Sequence, residues 1–165
     1  MYDFKPETAL EPTELYRQLC DAADALTAGE KDAVANMANV AALIWEFVPS
    51  LNWAGFYRMG HNDDGAQELV LGPFVGRPAC IRIPLGAGVC GSAAQSGEAQ
   101  LVEDVHTFPG HIACDAASQS ELVVPVLRDG KVVAVIDLDS PDPARFTLED
   151  AAGIEKLAQI LSPRI

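Results

Sequence analysis

The stretch LVVPVLRDGKVVAVIDLD, residues 122–139, limits the possible folds more than any other part of the chain. Two apolar, β-branched runs flank Arg128-Asp129-Gly130-Lys131, and Asp-Gly accepts the positive φ angles of a tight two-residue turn. The pattern predicts an antiparallel hairpin with strands at 122–127 and 131–139. A lone hairpin is only marginally stable, so further elements must cover it. Extended segments are expected at 53–59, 68–71 and 80–83, with a weaker one at 100–103, and GHNDDGA at 60–66 reads as a solvent-facing hairpin loop.

Helical spacing brackets these strands. Leu15, Leu19, Ala22 and Leu26 share one face of a helix at 13–27. Ala33, Met37, Val40, Ile44 and Phe47 do the same at 32–47. A third helix begins at Thr147, where TLED offers a capping box, and runs through Ile154, Leu157, Ala158 and Leu161. With 165 residues the chain can bury one core, so the expected fold class is α/β of the α+β kind: one domain over 1–165, a central antiparallel β-sheet flanked by helices.

The strand period places Val133, Val135, Asp137 and Asp139 on one face, with Val132, Ala134, Ile136 and Leu138 on the other. Two acids ending an apolar row are either solvated residues at a strand exit or the wall of a cation-binding pocket. An uninterrupted hairpin would pair Glu121 with Leu138 and keep it off the face of Asp137 and Asp139. Pro125 cannot donate to a ladder, which points to an edge position or a bulge, and one bulge would restore the shared face. In NWAGFY, Trp53 and Tyr57 share a face and Ala54 and Phe56 take the other.

Cys20 sits within the first helix and reads as core. Cys80 follows Gly76-Arg77-Pro78 at an element end. Cys90 lies in GAGVCGSAA, where a short helix from Gly91 would favour its thiolate if Cys90 stands near the amino end; no Lys-Ser/Thr pair makes this a phosphate loop. Cys114 lies in the polar run DVHTFPGHIACDAASQS, between His111 and Asp115, and is a candidate nucleophile on an active-site loop or, alternatively, a buried turn residue. There is no CxxC pair. Cys80, Cys90 and Cys114 with His106 or His111 would suffice for four-coordinate zinc, but His111-x2-Cys114 is the nearest approach to a short-spaced ligand pair.

Eleven basic and 24 acidic residues leave a net charge of -13, which disfavours nucleic acid and anionic membrane as partners. No apolar run approaches the roughly 18 residues of a membrane span, and MYDFKPETALEP lacks a signal peptide's apolar core, so a cytoplasmic location with reduced thiols is expected.

NWAGFY at 52–57, LGPFVGRPACIRIPLGAGVCG at 71–91, EDVHTFPGHIACDAASQSE at 103–121 and VVAVIDLDS at 132–140 together resemble the free methionine-R-sulfoxide reductase family of GAF-type domains. The resemblance implies that Cys114 is the catalytic cysteine, Cys80 the resolving cysteine that forms a disulfide with it, and Cys90 an auxiliary one. It implies an acidic pocket of Glu121, Asp137 and Asp139 with Trp53 and Tyr57 as its aromatic side, Glu121 and Asp139 also serving catalysis. It further implies no bound cofactor, thioredoxin as external reductant and a homodimer. A GAF-type sensor without turnover and a zinc-binding structural protein are the alternatives.

Overall fold

The computed structural model describes residues 10–110 and 116–165. In chain order the strands are β1 (Trp53–His61), β2 (Gln67–Gly76), β3 (Arg82–Pro84), β4 (Gln100–Val102), β5 (Ser120–Arg128) and β6 (Lys131–Ser140). The helices are α1 (Pro12–Thr27), α2 (Ala33–Phe47), α3 (Gly88–Ser96) and α4 (Leu148–Leu161). The strands form one antiparallel sheet in the order β3-β2-β1-β6-β5-β4, so the expected α+β architecture is present.

Local chemistry sets the helix ends. Asp32 accepts from the Ala35 amide and caps α2. Thr147 and Asp150 complete a reciprocal capping box on α4, and Asp150 also accepts from the Tyr16 hydroxyl at 2.6 Å, tying α4 to α1. No helix among the described residues is long and apolar enough to cross a membrane.

Strand alternation then divides the apolar residues between two layers. Ala54, Phe56, Leu122, Val124, Ala134, Ile136 and Leu138 pack against the buried faces of α1, α2 and α4. On the opposite face Trp53, Tyr57, Val123 and Val135 pack with Val89, Cys90 and Ala93 of α3.

Some boundaries differ from the expected ones. β2 continues past Leu71 to Gly76, because Gly72-Pro73 falls where the β1–β2 register shifts between Gly55 and Tyr57 instead of ending the strand. β3 starts at Arg82, leaving Cys80 outside it, and α3 starts at Gly88 rather than Gly91. The hairpin does carry a register shift, between Val126 and Leu127. Val133 is the surplus residue, and it changes the phase: Val132 packs on the α3 side and Val133 on the side of α1, α2 and α4, opposite to the uninterrupted alternation. Pro125 lies beyond the last β4 pair, Gln100 with Val123, so its missing N–H interrupts no ladder.

Candidate active site

The sheet register assembles the site in rows. Glu121, Asp139 and Trp53 are successive partners across β5, β6 and β1; Val123, Asp137 and Gly55 form the next same-face row, and Pro125, Val135 and Tyr57 the one after. A cavity partly open to solvent lies over these rows beneath α3, lined by Trp53, Tyr57, Cys90, Ser118, Glu121, Asp137 and Asp139. The five pocket residues expected from the sequence, with Cys90, therefore share one cavity.

Gly55 makes the aromatic wall possible. A Cβ at this position would stand 2.4 Å from Phe74 Cβ, so only glycine lets β2 come this close. Phe74 then stacks on Trp53, with ring centroids 5.2 Å apart and planes inclined by 13°, and Trp53 stacks on Tyr57 at 5.8 Å. The Trp53 Nε1–H donates to the Arg77 carbonyl at 3.1 Å, which fixes the indole.

The acidic wall is unusually dry. Glu121 and Asp137 are 7% and 5% exposed, and Cys90 Sγ donates to Glu121 Oε1 at 3.9 Å. Burial raises the Asp137 carboxyl to about 7, against partial relief from hydrogen bonds to Cys90 and Glu121. Burial, reinforced by the neighbouring charges of Asp137 and Asp139, holds Glu121 well above the ordinary carboxylate range. These two acids are thus suited to hold protons at neutral pH. Tyr57 is raised as well, first by burial and then by Asp137.

Cys90 occupies the third position of α3, close to its amino end, yet the expected thiolate is not favoured there. Burial and the adjoining Asp137 and Glu121 push its thiol well above the ordinary range. The helix end contributes partial charges, whereas two acids and loss of water act directly on the sulfur.

Cys80 is half-buried next to the cavity-lining Pro78 and Ala79 and is disulfide-bonded, whereas Cys20 and Cys90 are free thiols. Cys114, His111 and Asp115 lie outside the described residues. The zinc set weighed from the sequence is not assembled among the described residues: Cys80 is in a disulfide, and the one group with ligand atoms mutually within 4.8 Å is Cys90, Glu121 and Asp137, without His106. Phe74 and Ser118 escaped the sequence reading. Phe74 follows a Gly-Pro pair that looks like a strand end, and Ser118 carries no spacing signal beyond its place between Cys114 and Glu121.

An antiparallel sheet of this order with a pocket under a short helix makes the chain a GAF domain, and the GAF domain family model matches residues 35–163. Free methionine-R-sulfoxide reductase of Escherichia coli is 48% identical over 148 residues, covering 90% of this chain and 87% of that protein. The enzyme of the same name from Saccharomyces cerevisiae is 42% identical over 158 residues, covering 93% and 87%. The X-ray structure of free methionine-R-sulfoxide reductase from Neisseria meningitidis in complex with its substrate superposes with a TM-score of 0.91 at 42% identity, covering 99% of this chain and 95% of that one. Within the GAF domains, the chain belongs to the free methionine-R-sulfoxide reductase family.

Proposed function

We propose that this protein, acting as one GAF-like domain, reduces free methionine-R-sulfoxide to methionine, with Cys114 as nucleophile and Cys80 as resolving cysteine. The observation that carries this reading is the convergence of Glu121, Asp137 and Asp139 with the Trp53–Tyr57 stack on one cavity bordered by the disulfide-bonded Cys80 segment. The indole face suits the methyl-sulfoxide group, and the half-buried Asp139 suits the substrate ammonium. Buried Glu121 and Asp137 supply the proton.

In the proposed reaction the Cys114 sulfur attacks the sulfoxide sulfur, and a protonated acid assists as the S–O bond breaks. The oxygen passes to Cys114 as a sulfenic acid, the substrate sulfur gains two electrons, and methionine leaves. The Cys80 thiol then displaces water from the sulfenic acid and forms a disulfide with Cys114. Because Cys20 and Cys90 are free and the chain has four cysteines, Cys114 is the proposed partner of Cys80. Thioredoxin reduces that disulfide by thiol exchange. The reading includes a homodimer, testable by sedimentation.

Following NADPH loss in a thioredoxin-coupled assay with each diastereomer of free methionine sulfoxide tests the function. Turnover of the R form alone, abolished in Cys114→Ser, is expected. Ligand binding without turnover of either form would instead identify a sensor. Peptide mapping of oxidised protein without reductant should recover a 80–114 cross-link, and its absence after turnover would reject Cys80 as the resolving residue.

A further inference from the structure

Resting on the reductase reading, we infer that the Ser118 hydroxyl holds the carboxylate of the free amino acid and that Asn52 aims it. Ser118 is 3% exposed yet lines the cavity, and the Asn52 Nδ2–H donates to its Oγ at 2.9 Å. A hydroxyl whose lone pair receives an amide proton keeps its own proton for another acceptor. Asn52 is itself held in place, because its backbone N–H donates to the Asp139 carbonyl at 3.0 Å. The proton on Ser118 is therefore oriented at the end of the cavity where Trp53, Asp139 and Glu121 form their row.

The rest of the wall explains why a donor is needed there. Asp139 attracts an ammonium and repels a carboxylate, Glu121 and Asp137 hold the protons that the reaction consumes, and the Trp53 N–H is committed to Arg77. In an amino acid the two charged groups share one carbon and must be bound side by side. Asp139 for the ammonium and Ser118 for the carboxylate satisfy that requirement, leaving the sulfoxide arm to reach the aromatic stack. An internal methionine in a peptide has neither charge, so the same pair would leave it with unmet polar groups.

Steady-state kinetics of Ser118→Ala, Ser118→Thr and Asn52→Asp test this assignment against two substrates, free methionine-R-sulfoxide and its decarboxylated amine. Losing one hydrogen bond to a charged group should raise KM for the amino acid about tenfold to a hundredfold in Ser118→Ala, with kcat little changed. The same variant should match wild type on the decarboxylated amine, where no carboxylate is present to lose. Ser118→Thr should restore KM. Asn52→Asp, whose carboxylate would draw the Ser118 proton out of the cavity, should reproduce the KM defect, and the double variant Asn52→Asp/Ser118→Ala should be no worse. An unaltered KM in Ser118→Ala, or an equal loss on both substrates, overturns the role of the hydroxyl. A wild type inactive on free methionine-R-sulfoxide rejects the reductase reading and this inference with it; an active wild type with a silent Ser118→Ala rejects the inference alone.

Discussion

Glu121 on β5 pairs directly with Asp139 on β6, although the Asp129-Gly130 turn that starts the hairpin pairs Leu127 with Val132 and would by itself set Glu121 against Leu138. The register shift at Val126–Leu127 brings three carboxyl side chains to one cavity, two of them buried, which the folded protein tolerates by keeping protons on them.

This arrangement makes stability depend on pH in a definite sense. With its folded carboxyl at about 7 and its unfolded one near the ordinary value of 3.8, Asp137 binds more protons in the folded state between those limits. Its contribution is fully present below the unfolded value and is lost as pH rises toward and through about 7; Glu121, raised in the same direction, adds to the loss. Asp137→Asn and Glu121→Gln should each raise the melting temperature at pH 8 by about 3 °C or more and leave it nearly unchanged at pH 4. Calorimetry across pH 4 to pH 8 checks this, and a stabilisation equal at both ends would contradict the buried-acid origin.

Cys90 should be a slow thiol in the folded protein. Its raised protonation and burial leave little thiolate for an electrophile, and Cys20, raised to about 11 mainly by burial, is a similar case. After full reduction, iodoacetamide at pH 7.5 should label both at least about a hundredfold more slowly than in denaturant, read by mass spectrometry of their peptides. Rapid native labelling of Cys90 would mean that its acid neighbours do not control it.

The parts of this site that were legible in the sequence depend on local pattern. Trp53 and Tyr57 share a face because β1 alternates without interruption between them, and α4 starts at Thr147 because its cap lies within one turn. The strand length of β2 was hidden because Gly72-Pro73 reads as a terminator, yet is accommodated where the register shifts. Pro125 announced an irregularity near the hairpin, but not which strand carries the surplus residue. The state of Cys90 depends on Glu121, 31 residues away, and on Asp137 farther still, so no reading of GAGVCGSAA alone could have found it.

Two glycine substitutions should separate the pocket from the remote core. Gly55→Ala drives a methyl group against Phe74, where Cβ, Cα and the preceding carbonyl all stand within 2.8 Å, so β2 must move and the Trp53 stack with it. Gly153→Ala places a methyl 2.2 Å from the Tyr16 ring at the α1–α4 crossing, on the other side of the sheet. Each should cost about 1–3 kcal/mol in denaturant titrations, but only Gly55→Ala should also raise KM, by about tenfold or more. A matching KM change in Gly153→Ala would show that the two layers are coupled.

Deleting Val133 should erase the bulge while preserving the site. Without that residue, Leu127 still meets Val132 and Val126 still meets Ala134, so the ladder becomes regular and Glu121 remains across from Asp139. The face assignments also survive, since Val132 already packs on the α3 side and Ala134 on the other. What disappears is the extra local twist and the packing of Val133, which is only partly buried. The expected result is a melting temperature lower by about 3 °C with kcat/KM within about tenfold of the parent. A loss of about a hundredfold or more in a variant that still unfolds cooperatively would show that the twist at the bulge, beyond the register it sets, aims Glu121 and Asp139 at the substrate.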